Sequence, residues 1–129
     1  MDLKSVTRIS ASGLQAQSLR MRVIAENLAN SDSVAATPGG NPYQRKLVLF
    51  SPTDDGVKVA AVRRDSSSFT RVYQPGHPAA DAAGYLLRPN VNSLVEAADM
   101  KAAQRSYEAN LNAIEAARAM TLRTLDLIK

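Results

Sequence analysis

From Ser93 to Lys129 the chain contains neither proline nor glycine, and one stripe of residues repeats with steps of three and four. The stripe is Ala97, Met100, Gln104, Tyr107, Leu111, Ile114, Arg118, Thr121, Leu125 and Ile128. Sustained over more than four heptads, such spacing predicts a coiled-coil helix rather than a strand or loop. At the standard rise of ~1.5 Å per residue it would reach roughly 55 Å, far beyond the usual three turns. Ser93 and Glu96 read S-x-x-E directly before it, which predicts a capping box: the Ser93 hydroxyl accepts from the third helical amide while Glu96 reaches back to the cap. Nine alanines between Ala97 and Ala119 permit close approach of a second helix. Arg105–Glu108, Glu115–Arg118 and Arg123–Asp126 are opposite charges at i,i+3, each expected to add a few tenths of a kcal/mol.

The stripe is broken by Gln104, Arg118 and Thr121, while Met120, Leu122 and Leu127 lie off it. A two-stranded pair would leave these apolar groups in water, so more than one face wants a partner. Two readings stay open: a helical hairpin with a ragged outer surface, or a hairpin that also packs on other chains.

A second proline-free stretch, Leu3 to Asn30, places Leu14, Met21, Ile24 and Leu28 on one helical face. Leu3, Val6 and Ile9 form a less regular stripe. Gly13 and several serines weaken this helix, glycine by about 1 kcal/mol relative to alanine, so it depends on a partner. Two such helices flanking a compact insert pack best antiparallel.

All six prolines and five of the six glycines fall between them. Short β-prone runs alternate with these breakers at Gln44–Phe50, Val57–Val62, Phe69–Tyr73 and Tyr85–Leu87. Asp55-Gly56 reads as the turn dipeptide between the first two, in a loop lengthened by Ser51–Thr53, and Asp65–Ser68 as a second loop. Thr37–Asn41 is too rich in breakers for a regular element. The expected fold class is therefore α+β: long N- and C-terminal helices packed as an antiparallel coiled-coil hairpin, with a small antiparallel sheet in a loop-rich middle. The expected segments are residues 1–30, 31–92 and 93–129.

Composition fits long thin packing better than a thick core. Only 5% of the 129 residues are aromatic, there is no tryptophan, and much of the 45% hydrophobic content is alanine, which buries little area. The absence of cysteine excludes disulfides, thiolate metal sites and cysteine nucleophiles, and His77 is the one histidine. Between prolines, His77 reads as a loop residue held by a local hydrogen bond. Asp54-Asp55 before Gly56 reads as a solvated turn rather than a catalytic acid pair. Lys101 and Arg105 lie one helical turn apart, but Asp99 and Glu108 make that face mixed. No phosphate loop, dinucleotide fingerprint or nucleophile elbow is present. The reading is a non-enzymatic interaction protein with no metal and no cofactor.

The net charge of +4 and pI near 9.7 raise nucleic acid as a partner. Basic and acidic residues number four and two in residues 1–30, seven and five in 31–92, and five and five in 93–129. So thin a spread forms no patch, and nucleic-acid binding is not expected. A mean hydropathy of -0.21 and the lack of an 18-residue apolar run argue against membrane insertion. The N-terminal stretch has no apolar core or cleavage signal of the secretory kind.

Three stretches resemble the axial rod–hook family of bacterial flagellar basal bodies. Ser12–Asn30 (S-G-L-Q-A-Q-S-L-R-M-R-V-I-A-E-N-L-A-N) is similar to that family's N-terminal helix ending in N-x-A-N. Thr37–Lys46 (T-P-G-G-N-P-Y-Q-R-K) resembles its proximal-rod branch, including the longer spacing after N-x-A-N. Tyr73–Asn92 (Y-Q-P-G-H-P-A-A-D-A-A-G-Y-L-L-R-P-N-V-N) and Ser106–Ile114 (S-Y-E-A-N-L-N-A-I) complete the likeness, which covers essentially the whole chain. The resemblance implies a helically polymerising rod subunit, with terminal helices lining the export channel and ordering on assembly. It implies contacts with other copies, with other rod proteins and with a membrane-ring adaptor. It further implies delivery by the flagellar type III export apparatus, without signal cleavage, to a rod crossing the periplasm. Within or between chains, Leu14, Met21, Ile24 and Leu28 are expected to pack on Met100, Tyr107, Leu111, Ile114, Leu125 and Ile128. The family-motif turn comprises Asn27, Asn30, Thr37, Pro38 and Gly39, with both asparagines expected to bond backbone groups at the helix end. Rival readings are a soluble coiled-coil adaptor or export chaperone, and a small peptidoglycan-cleaving factor working through Asp54-Asp55.

Overall fold

A computed structural model describes residues 2–129. In chain order it comprises α1 (Leu3–Ala29), β1 (Lys46–Thr53), β2 (Gly56–Arg64), β3 (Thr70–Tyr73), β4 (Tyr85–Arg88) and α2 (Ser93–Ile128). The two long helices pack against each other, and both strands of the β1–β2 pair rest on α1.

Helix α1 starts at Asp2, whose carboxylate accepts from the Ser5 amide at 2.6 Å. Hydrogen bonding from Ser5 holds that carboxyl below the usual aspartate range. Helix α2 starts differently from the expected capping box. Asn92 is the cap, its side-chain oxygen accepting from the amides of Leu94 at 3.0 Å and Val95 at 3.3 Å. Ser93 is already helical, and Glu96 cannot reach back because its carboxylate is committed to Asn27 and Arg45.

The helices run antiparallel, since Asn27 meets Glu96 while Gly13 lies against Asn110. A Cβ on Gly13 would come within 2.6–2.8 Å of the Asn110 side chain, so glycine sets how closely the helices approach. The face that α2 turns to α1 shares Met100, Tyr107 and Ile114 with the expected stripe, while its other positions lie one residue earlier. Its buried positions are Glu96, Ala103 and Ala117, and half-buried Asn110 continues their seven-residue spacing, with Met100, Tyr107 and Ile114 half-buried beside them. Ala97, Gln104, Leu111, Arg118, Thr121, Leu125 and Ile128 face out. Ser10, Gly13 and Ala16, all buried on α1, and Ala103 and Ala117, buried on α2, let the two backbones approach closely, while the larger Glu96, Met100, Tyr107, Asn110 and Ile114 fill the space between them. The expected i,i+3 ion pairs on α2 do not close among the described residues; Asp126 pairs instead with Lys129 at 3.8 Å. Exposed pairs gain too little to hold two long side chains in one geometry.

Among the described residues the buried hydrophobic core comprises Ala16, Val23, Ile24, Ala79, Leu86, Ala103 and Ala117. A compact protein of 13.8 kDa would expose about 6,600 Å², whereas this chain exposes 8607 Å². The thin, elongated packing expected from the composition is thus present in the fold.

The middle holds two separate two-stranded antiparallel sheets, not one. In the first, β1 and β2 pair from Lys46–Arg64 to Thr53–Gly56, with a bulge between Leu49 and Phe50. Ser51–Thr53 belong to the strand, so the turn is the two residues Asp54 and Asp55 rather than a longer loop around Asp55-Gly56. The hairpin end is pinned to α1 by Ser12, whose hydroxyl accepts from the Val57 amide at 3.1 Å and donates to the Ile9 carbonyl at 2.6 Å. Gly56 has φ +131°, and a Cβ there would overlap the Ser12 hydroxyl and lie 3.3 Å from the Ile9 Cα. Gly56→Ala is therefore expected to destabilise the fold by about 2–4 kcal/mol, combining strain with the loss of the Ser12 bond. Gly39→Ala, at φ +76° but in open space, should cost only about 1 kcal/mol. Urea unfolding of the two variants checks the difference.

In the second sheet β3 and β4 pair from Thr70–Arg88 to Tyr73–Tyr85. The Tyr73 and Tyr85 rings lie 5.1 Å apart, and Arg71 stacks over Tyr85 at 3.9 Å. Among the described residues this hairpin touches no helix and no other strand. Loops hold it, including the Arg88–Asp32 ion pair at 3.1 Å.

Candidate functional site

The family-like stretches, far apart in the chain, converge on one polar junction where α1 ends, β1 begins and α2 starts. Asn27 and Glu96 are at its centre, 1% and 0% exposed. The Asn27 amide reproduces a backbone pairing: its Nδ2 donates to the Lys46 carbonyl at 2.9 Å and its Oδ1 accepts from the Lys46 amide at 2.9 Å. The same side chain accepts from the Tyr43 hydroxyl at 2.7 Å and donates to Glu96 Oε2 at 3.2 Å. Burial, then Glu26 and Glu96, raise the Tyr43 phenol above its usual range.

Among the described residues Arg45 is the one cation bonded to Glu96. It bonds Glu96 through Nε, Asp65 at 3.1 Å and Asp99 at 3.6 Å. Burial opposes its charge, but the bonds to Glu96 and Asp65 outweigh this, and Arg45 holds its proton more tightly than a free arginine. The Ser67 amide, with Arg45 behind it, keeps Asp65 below the ordinary aspartate range. Asn90 completes the frame: its Oδ1 accepts from the Arg45 amide at 2.7 Å while its Nδ2 donates to the Asp65 and Ser67 carbonyls at 3.1 Å. Lys46 is turned outward to Glu26. No buried side-chain polar atom of the described residues lacks a partner.

Asn30 closes α1 by donating from Nδ2 to the Glu26 carbonyl at 2.9 Å and accepting from the Ser33 hydroxyl at 3.0 Å. Thr37, Pro38 and Gly39 are exposed and form a type II turn, with φ +76° at Gly39 and the Gly40 amide donating to the Thr37 carbonyl at 3.2 Å.

The expected packing residues divide into two groups. Ile24 is buried, and Leu14, Met21, Leu28, Met100, Tyr107 and Ile114 are half-buried. Leu111, Leu125 and Ile128 are 39%, 54% and 75% exposed. Continuing the pairing of Gly13 with Asn110 places Leu3 opposite Met120, so α2 runs on beyond the start of α1. Every residue from Arg118 to Lys129 is exposed, including Leu122 and Leu127.

Arg45, Glu96, Tyr43, Asp65 and Asn90 were not singled out as junction residues by sequence reasoning. The available signal was Glu96 itself, which opens the seven-residue row through Ala103, Asn110 and Ala117. The residues considered for catalysis lie elsewhere. Asp54 and Asp55 form the exposed hairpin turn, where Asp55 meets Arg8 at 3.6 Å. His77 Nδ1 accepts from the Ala79 amide at 3.0 Å. Among the described residues no cluster of His, Asp and Glu is arranged to hold a metal, and no helix is long and apolar enough to cross a membrane.

Residues 8–36 match the family model described as flagella basal body rod protein, and residues 82–127 match that described as flagellar basal body rod FlgEFG protein C-terminal. The chain is 44% identical to the flagellar basal-body rod protein FlgC of Agrobacterium fabrum, covering 98% of this chain and 96% of that one. It is 42% identical to FlgC of Salmonella typhimurium, covering 98% of both. Across a wider distance it is 37% identical to FlgC of Bacillus subtilis, over 94% of this chain and 95% of that one.

Proposed function

The chain belongs to the FlgC family of flagellar basal-body rod proteins and is a structural subunit of that rod, and from that premise we propose how it builds one. Its copies polymerise helically with themselves and with other rod proteins, forming a drive shaft and the wall of an export channel. The helix pair acts as an antiparallel coiled-coil hairpin, on the seven-residue spacing of Glu96, Ala103, Asn110 and Ala117. Leu14, Met21, Leu28, Met100, Tyr107 and Ile114 complete their burial against neighbouring copies, and Leu111, Leu125 and Ile128 find partners only there. The turn at Asn27, Asn30 and Thr37–Gly39 leads the middle segment outward, toward other rod chains and a membrane-ring adaptor. The subunit reaches a rod crossing the periplasm through the flagellar type III apparatus without signal cleavage, and it acts without catalysis.

The observation that carries this reading is the exposed end of α2. Leu122, Leu125, Leu127 and Ile128 are all at least half exposed on a helix that has run past its partner. A contact between unlike surfaces of identical subunits propagates as an open helix rather than closing as a two-fold dimer. Expression of this chain in cells lacking their own FlgC is expected to restore motility and to place the chain in purified basal bodies. A chain that restores swimming from the soluble fraction, absent from basal bodies, would overturn the reading in favour of an adaptor or chaperone.

A further inference from the structure

We propose that Arg45 and Glu96 form a charged latch that makes pairing of the two helices conditional on docking of strand β1. Glu96 sits in the first turn of α2 with no exposed surface. Within the helix pair its polar partner is the Asn27 amide, on one carboxylate oxygen. The other oxygen and the whole countercharge are supplied by Arg45, which belongs to neither helix. Arg45 lies one residue before β1, and its backbone is fixed from the middle segment by Asn90 and by the Asp65 amide, which donates to the Arg45 carbonyl at 2.7 Å.

Among the described residues no other cation takes that place. Lys46 is paired with Glu26, and Arg20, which lines the same cleft, is directed to Gln17 at 3.4 Å. Three carboxylates, from Glu96, Asp65 and Asp99, share the Arg45 guanidinium. If β1 leaves while the helices stay paired, a buried carboxylate keeps its desolvation cost and loses its countercharge. The paired helices without docked β1 are therefore the disfavoured state, and the three segments close or open together. A neutral, apolar residue at position 96 would remove the charged part of this dependence, leaving the bonds between Asn27 and the Lys46 backbone as the remaining link to β1.

Hydrogen–deuterium exchange on the full chain reads the coupling directly. Arg45→Met is expected to accelerate exchange by at least about 100-fold at amides of residues 20–28 and 96–103, alongside those of β1. Arg45→Met combined with Glu96→Leu should slow exchange at the helix amides by at least about tenfold relative to Arg45→Met alone, the bonds between Asn27 and Lys46 being the remaining link to β1. Loosening confined to β1 in the single variant would overturn the latch. So would a double variant whose helices exchange as fast as those of Arg45→Met. Should Arg45→Met fail to fold, the double variant decides alone: a folded helix pair supports the latch and an unfolded one refutes it.

Discussion

Asn27→Ala is expected to lower the free energy of unfolding by about 4 kcal/mol, as much as removal of a large core side chain. The side chain makes four hydrogen bonds, two of them to the backbone of Lys46. Alanine would leave that amide and carbonyl, the Tyr43 hydroxyl and one Glu96 oxygen to find other partners around a position that is itself 1% exposed. Each buried group stranded in this way costs roughly 1–3 kcal/mol, and groups sharing one network do not add fully. Asn30→Ala provides the contrast. Asn30 is half-buried, and its bonds to the Glu26 carbonyl and Ser33 are accessible to replacement by water, so its loss should cost about 1 kcal/mol. Urea titrations followed by helix circular dichroism distinguish the two. An Asn27→Ala midpoint equal to that of Asn30→Ala would mean that the junction does not carry the fold.

That contrast shows what was legible in the residues and what was not. Proline and glycine punctuation placed both helices and all four strands to within a few residues, because breakers act locally. Asp54-Asp55 and Thr37–Gly40 show the limit of this. Turn chemistry was visible in both, but the strand extends through Pro52 to the very edge of the first turn, since pairing with Val57 and Gly56 outweighs the local tendency of Ser51–Thr53 to loop. The three-and-four spacing on α2 finds Met100, Tyr107 and Ile114 but misses the row of Glu96, Ala103 and Ala117 beside them. Those buried positions lie one residue before the expected Ala97, Gln104 and Arg118, and Leu111 faces out. Glu96 was hardest to place. A glutamate three residues after a serine satisfies a local capping pattern, and only its pairing with Arg45, 51 residues earlier, reveals that a tertiary contact has claimed it. Sequence-local rules cannot distinguish these uses of the same side chain.

The overhang of α2 explains why hydrophobic residues are left outside, and it predicts the largest functional effect. Beyond Met120 helix α2 has no α1 beside it, so the leucines and isoleucine at its end are left for a different partner. Leu125→Asp with Ile128→Asp is expected to leave the monomer's helix content and unfolding midpoint within error of the parent, because neither side chain packs within the chain. Burying each aliphatic side chain against a neighbour is worth about 1.5–3 kcal/mol, before the added penalty of placing a carboxylate in that contact. Losing both should weaken subunit association by at least about 100-fold and leave cells non-motile, with the variant absent from basal bodies. Leu125→Met with Ile128→Leu, which keeps apolar volume, should swim as the parent does. Should the aspartate pair assemble and swim normally, the exposed end of α2 would have no role in the rod. If it instead unfolded the free monomer, these side chains would have partners within the chain, contrary to the exposure of every residue from Arg118 to Lys129.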